Sequence, residues 1–568
     1  MKSKILSLFL CIIISVICLT RNNIYSQVTQ QWVRNYNDSI WIVNNQNRYS
    51  SDCGYAMIVD ANGNIYITGN CEKYTSYIFR ASLIKYNNSG NVVWIAAYPQ
   101  NYSTFIKPHA IALDNQGNVI VALEKGLNNS NILLLKYNPN GSLLWNVEYT
   151  QNQYTIEVPR AIDIGTDGSI YLTGECSDST STGYNFLTMK YNSTGVLQWM
   201  KRYDGPGHYS DLPVALKLDI NQNVIVAGST SMVSTGNKDY CTIKYNSQGV
   251  QQWIRTTGFG PLDEISDMTV DTLGNIYVTG SIVTNSNQSE YCTIKYNASG
   301  TQQWAAMYAG INGYIYNISK AIDIDRAGNV YVTGYTEMYY TLEDYCTIKY
   351  SPSGTELWKS FYNSGTNSID VATDMKVDKN GNCYITGYIQ PSSGKGYMTI
   401  KYNTSGVQQW GIKLDSSGVN ALSYYPFIQI DNNNFVYAAG TKERQRSGYV
   451  DAEIVLAKYS QLIGINNIST EIPSSYNLYQ NYPNPFNPAT KIQFQIPLSR
   501  GVSAGRGVSV KLAIYDILGK EIAVLVNEFL SPGTYEIEWN ASDYPSGVYF
   551  YRLVTDGFTQ TNKMILVK

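Results

Sequence analysis

Four aspartates, Asp52, Asp211, Asp263 and Asp370, open the same kind of strand-like run in different parts of the chain. Brought together by a repeating fold, such carboxylates could form a ring that binds a cation or a basic ligand. Each could instead cap a turn by accepting backbone N–H groups of its own unit. A residue shared by several repeats normally serves the repeat, which favours the capping role. A second set, Asp60, Asp114, Asp271, Asp325 and Asp378, with looser copies at Asp219 and Asp431, opens Asp-x-x-Gly-Asn turns. These turns lack the alternating ligands and closing glutamate of a calcium-binding loop, so turn chemistry accounts for them. The two histidines, His109 and His208, fall on loop-like segments (Lys107-Pro108-His109 and Gly207-His208) and recur in no other repeat. Neither has a nucleophile beside it in sequence, so no catalytic residue is expected. No metal site and no cofactor is expected either, since no CxxC occurs.

These residues sit in a sentence repeated about every 53 residues: Asp-x-x-Gly-Asn-x-Tyr-x-Thr-Gly, then Ile-Lys-Tyr-Asn-x-x-Gly-x-x-x-Trp. The Thr-Gly mark occurs at Gly69, Gly174, Gly228, Gly280, Gly334, Gly387 and Gly440, with Leu123 in place of the glycine once. The Lys-Tyr mark runs from Lys85 to Lys458 and counts eight. Tryptophans follow seven of these, from Trp94 to Trp410. The eighth lies at the other end of the chain, where Gln30-Gln31-Trp32-Val33-Arg34 copies Gln252-Trp253-Ile254-Arg255. A split unit is what a closed ring needs: an N-terminal strand completes the last sheet and hides its edge. We therefore expect an all-β fold, an eight-bladed β-propeller over residues 28–462 closed by an N-terminal strand. Each unit reads as four strands, such as Ala321–Asp325, Asn329–Thr333, Tyr345–Tyr350 and the Trp strand. Glycines in the two short hairpins supply left-handed turn residues. The long, irregular connections gather on one face, where binding residues usually live. The repeated Trp and Lys-Tyr positions fit packing between blades better than a sugar platform.

The chain has 568 residues, a net charge of −2 and only 15% charged residues, with no basic cluster of the kind nucleic acid requires. Its 50 tyrosines, with abundant Gly and Asn, suit strands and turns. Lys2 and Lys4 followed by an apolar run from Ile5 to Leu19 read as a signal peptide over 1–26. No later run is long and apolar enough to span a bilayer. Seven cysteines follow, and those at equivalent repeat positions should act as small buried hydrophobes; Cys53 with Cys71 is the one pairing left open.

A linker is expected over 463–475, and a small β-sandwich, immunoglobulin-like, over 476–568. Its strands are read as Lys491–Ile496, Ser509–Ile517, Glu521–Val526, Gly533–Trp539, Gly547–Leu553 and Lys563–Lys568. The segments YQNYPNPFNPATKI (479–492), VKLAIYDILGKEI (510–522), PSGVYFYRL (545–553) and KMILVK (563–568) resemble the type A sorting domain of type IX secretion substrates. That resemblance implies passage through the outer membrane, the secretion machinery as partner, and a secreted or cell-surface destination. The repeats resemble the bacterial SBBP propeller repeats, as in DVATDMKVDKNGNCYITG (370–387), with an acidic-aromatic step at Asp239-Tyr240, Glu290-Tyr291 and Asp344-Tyr345. The name of that family implies seven blades, whereas eight units count here, and it transfers no catalytic residue. The expectation is thus a non-enzymatic module that binds a protein or glycan through its loop-rich face. Asp52, Asp211, Asp263 and Asp370 are its candidate ligand residues. The alternatives are an extracellular polysaccharide lyase or hydrolase, which would need unrepeated carboxylates, His, Tyr or Arg in one loop pocket, or an adhesive surface component.

Overall fold

The computed structural model describes residues 28–568 apart from 38–39, 44–45, 50, 74–77, 100–104, 127–128, 152–154, 178–182, 233–236, 285–287, 311–315, 339–341, 392–393, 416–425, 447–448, 462–465, 470, 499–507, 531, 542–543 and 556. The expected signal peptide lies outside the described residues. Among them every regular element is a strand, and no helix is long and apolar enough to cross a membrane. The chain divides into two compact units, Gln30–Ser460 and a second formed by Gln461–Lys568 with the N-terminal residues.

In the first unit, four sheets have four strands each. Two larger sheets each consist of two four-stranded halves joined by one parallel bridge, at Lys238–Leu262 and Ala452–Ser51. The first strands of these eight four-stranded groups are Ser51–Val59, Ile106–Leu113, Glu157–Ile164, Leu212–Leu218, Leu262–Val270, Asn317–Ile324, Ile369–Val377 and Phe427–Ile430. We number the groups one to eight in that order. Each first strand touches the next in turn, and Phe427–Ile430 touches Ser51–Val59, so the contacts run in a circle. An additional hairpin, Ile40–Val43 with Gln46–Tyr49, precedes the circle and was not expected from the repeat.

The eighth group takes its last strand from Val28–Tyr36, which pairs with Tyr449–Gln461. Side chains repeat the arrangement seen inside the chain. Arg34 lies 5.3 Å over Trp32 and donates to Gly90 O at 2.7 Å. Arg255 lies 5.6 Å over Trp253 and donates to Gly300 O at 2.6 Å.

The Lys-Tyr and Trp positions are a clamp between neighbouring sheets. Trp358 Nε1 donates to Thr404 O at 2.9 Å, and Lys349 Nζ donates to the same carbonyl at 3.3 Å. That carbonyl belongs to the hairpin turn of the following group. Its glycine, Gly406, has φ +78°, and a Cβ there would come within 2.6 Å of the Trp358 ring. Both the turn and the clamp therefore need glycine. The lysine stem crosses an aromatic face, Lys349 Nζ standing 4.7 Å from the Tyr331 ring centre. The seven cysteines of the described residues, Cys53 and Cys71 included, are buried.

The second unit has two four-stranded antiparallel sheets. Leu478, Ile492, Phe494, Val510, Leu512, Trp539, Tyr551 and Met564, drawn from both sheets, share one core. Asn466–Ser469, expected as linker, instead pairs with Gly533–Asn540. The strand expected to reach Ile517 stops at Tyr515. Asp516 Oδ1 there accepts Leu518 N and Lys520 N, both at 2.9 Å, and turns the chain.

Candidate functional site: the bulge ring

The short hairpins join first to second and third to fourth strands, so the long connections meet the start of every first strand. Within that starting half, seven first strands carry a β-bulge at the same place. The extra residue is Tyr55, His109, Arg160, Val214, Ser266, Lys320 or Thr373 in groups one to seven. A bulge leaves its residue outside the ladder and re-aims its side chain. It also crowds the facing residue: a Cβ on Gly387 would collide with Val371 O, which explains the Thr-Gly mark. Pro108, Pro159 and Pro213 stand just before three of the bulge residues. Proline, which has no N–H, is tolerated inside a sheet at such an irregularity.

The backbone of this position is thus repeated while its side chains are all different. Partners come from the residue after the Thr-Gly mark. His109 Nε2 lies 3.1 Å from Glu124 Oε2, and Ser130 Oγ donates to Glu124 Oε1 at 2.7 Å. Arg160 Nε and NH2 both reach Glu175 Oε1, at 2.7 and 2.6 Å. Lys320 Nζ sits 5.9 Å from the Tyr335 ring centre. Further charges extend the arc: Lys107 lies 5.2 Å from the Tyr55 ring centre, and Lys238 pairs with Glu264 at 2.6 Å.

Burial sets the protonation states. Burial lowers the His109 imidazole below its usual value, as do Lys107 and Arg160, against the pull of Glu124. For Glu124 burial acts upward, yet the hydrogen bonds from His109 and Ser130 outweigh it and leave the carboxyl below its ordinary range. Glu175 goes the other way, raised by burial that Arg160 only partly offsets. Burial also lowers the Lys320 ammonium, with Glu264 as a counterweight. Lys320 forms no ion pair within 4.0 Å among the described residues.

The expected ligand residues lie elsewhere. Asp52, Asp211, Asp263 and Asp370 are each 0% exposed. Asp211 accepts Gly205 N, Ser231 N and Thr230 Oγ1 at 2.6, 2.9 and 2.7 Å. Asp263 accepts Phe259 N and Gly260 N at 2.6 and 3.2 Å, and Asp370 accepts Ser364 N at 2.6 Å. Asp211, Asp263 and Asp370 thereby hold the long connections that precede their strands. His208 is on the surface, 75% exposed and 3.0 Å from Asp204.

Deeper along the first strands, Asp163, Asp267, Asp323 and Asp374 act as clips. Asp323 accepts Ile324 N at 2.9 Å and, from the next group, Val377 N at 2.8 Å. Asp267 likewise bonds Met268 N and Ile322 N, and burial pushes its carboxyl up to about 6. Asp267 and Asp323 both feel Lys217 and Lys376, which stand on non-adjacent groups, so these side chains converge towards the axis. Among the described residues no cluster of His, Cys, Asp and Glu has the arrangement of a metal site.

Glu124, Arg160, Glu175 and Lys320 went unnoticed in the sequence. Arg160 and Lys320 stand at the bulge, where otherwise similar repeats carry unlike residues, and Glu124 and Glu175 follow the Thr-Gly place on the second strand; only strand register brings them together.

Residues 480–568 match the secretion system C-terminal sorting domain, and residues 252–287 and 304–337 match the β-propeller repeat. This chain carries β-propeller repeats and a type IX sorting domain. The sorting domain directs it to the cell surface or the extracellular space. An uncharacterized WD repeat-containing protein of Acanthamoeba polyphaga mimivirus is 22% identical over 477 residues, 66% of this chain. The chain spans 32% of that relative's length. Among solved structures, the β-propeller domain of the trilobed protease from Pyrococcus furiosus matches 64% of this chain and 96% of its own, at 10% identity and TM-score 0.37. An ulvan lyase, a polysaccharide lyase, matches 64% of this chain and 97% of its own, at 10% identity and TM-score 0.38.

Proposed function

We propose that this secreted propeller protein binds a carboxylate-bearing glycan at the loop-rich mouth of its ring, over the bulge residues. One observation carries the reading. A backbone irregularity is kept in seven repeats while its side chain changes to His109, Arg160 or Lys320, which no packing role of the repeat requires. Around it stand Lys107, Arg160, Lys238 and Lys320 as cations and Tyr55 and Tyr335 as flat polar-edged surfaces. Arg160 is positioned by Glu175 yet 39% exposed, so its remaining donors are available to a carboxylate. The repeated Asp211, Asp263 and Asp370 support the site by fixing the connections around it. A second reading, chemical turnover of the bound glycan, draws support from the His109–Glu124 pair.

Calorimetric titration of the secreted chain with polygalacturonate, alginate and a neutral glucan tests the proposal. Acidic chains bind, more weakly as salt rises, and Arg160→Ala or Lys320→Ala weakens binding about tenfold. Equal affinity for the neutral glucan, or no affinity for any acidic one, removes it.

A further inference from the structure

We propose that His109 is the base of a β-elimination site for carboxylate-bearing polysaccharides, built where the second and third repeats meet at the mouth of the ring. The inference rests on the acidic-glycan reading above and names the chemistry of that site. The second repeat departs from the common sentence where the site requires it. Ala122-Leu123-Glu124 replaces Thr-Gly-x, and His109 fills the bulge. The His109 and Glu124 side chains are 10% and 16% exposed and Glu175 is 8% exposed, and an ion pair as secluded as Arg160–Glu175 is seldom a gain in stability. Their place beside a rigid, proline-set bulge points to chemistry instead.

The geometry assigns the roles. Glu124, fixed by Ser130 and ionised, accepts the Nε2 proton of His109, which leaves Nδ1 with the lone pair of a base. A neutral imidazole held in one tautomer by a carboxylate is a general-base arrangement. Ser130 Oγ already donates to Glu124, so it does not serve as a nucleophile activated by His109. Lys107 and Arg160, both close enough to depress the His109 pKa, supply positive charge for a substrate carboxylate. Neutralising that carboxylate makes the hydrogen on the adjoining carbon more acidic.

In the reaction, His109 Nδ1 takes that hydrogen as a proton. The electron pair left behind forms a carbon–carbon double bond to the neighbouring ring carbon. The bond from that carbon to the glycosidic oxygen breaks, and the oxygen leaves with its pair and takes a proton from solvent. His109 then returns its proton to solvent. One chain becomes two, one ending in an unsaturated uronate, and no external oxidant or reductant enters.

The test incubates the secreted chain with polygalacturonate, alginate or hyaluronate and follows the ultraviolet absorbance of the conjugated product, with calorimetric binding measured in parallel. The expected result is product from an acidic polymer that binds, a rate that falls as His109 is protonated in acid, and loss of at least about 100-fold in His109→Gln. Glu124→Gln, which disturbs the tautomer, should also lose rate while Arg160→Ala loses affinity; His208→Ala, at the exposed histidine, should change neither. Binding without product from any acidic polymer overturns the base assignment and leaves the binding reading standing, as does product that forms equally in His109→Gln. Failure of every acidic polymer to bind removes both.

Discussion

At the level of single residues, His109 and Glu124 bind fewer protons folded than unfolded, because both of their pKa values lie below the ordinary ones. Stability from this pair is present above those ordinary values and is lost as the pH falls from them through the lower folded values. Urea denaturation repeated from pH 7 towards pH 5 should therefore show a loss that Glu124→Gln enlarges, because the carboxylate holds the His109 pKa up against burial, Lys107 and Arg160. Lys320 is lowered as well, a half-buried ammonium whose charged form is disfavoured by desolvation. Lys320→Met should raise the melting temperature while weakening acidic ligands, the mark of a residue kept for binding rather than for folding. A lower melting temperature with unchanged binding would make Lys320 a structural residue. The repeated aspartates belong to the other class. Asp211 is 0% exposed with three donors on its carboxylate, so Asp211→Ala should cost about 2 kcal/mol in chemical denaturation, with ligand affinity reduced only through the loosened loop.

Within a strand, the bulge separates what periodicity shows from what it hides. The first strand was expected to begin at Ala321, yet it runs Asn317–Ile324. Lys320 is the extra residue, and it breaks the alternation of inward and outward side chains at that point. A reader following the two-residue period stops there and assigns the preceding residues to a loop. The same break moved His109 from an apparent loop position into a ring of first strands that also holds Arg160. Hairpin turns were legible because they are written in residue types: Asp, Asn and left-handed Gly recur at fixed places. A bulge has no such spelling. The clip formed by Asp323 was equally hidden, since Val377 N, which donates to it, lies a whole repeat away.

For the whole first unit, the split repeat has a measurable consequence. Lys-Tyr and Trp side chains clamp the hairpin carbonyl of the following group, but the eighth group has no third-to-fourth hairpin, because its fourth strand arrives from Val28–Tyr36. Trp410, which faces that group, accordingly has a buried Nε1 without a hydrogen-bond partner among the described residues. Trp358→Phe should cost about 1 kcal/mol for the lost bond to Thr404, whereas Trp410→Phe should cost less or stabilise. Equal losses would contradict the clamp. A deletion of 476–568 should leave the protein inside the outer membrane, read by fractionation and immunoblotting; secretion at normal levels would remove the sorting assignment.

The sequence by itself determined the repeat, the strand borrowed from the N-terminus and the sorting domain. All three are carried by residue identities at fixed spacing: glycine where φ is positive, tryptophan over the next glycine, a distinct alternating pattern at the C-terminal end. Only the tertiary structure decided which polar residues converge. Glu124 meets His109 across 15 positions, and Asp323 meets Val377 across 54. Those meetings follow from strand register and ring closure, which place side chains by backbone geometry, and geometry of that kind leaves no mark on the residues it brings together.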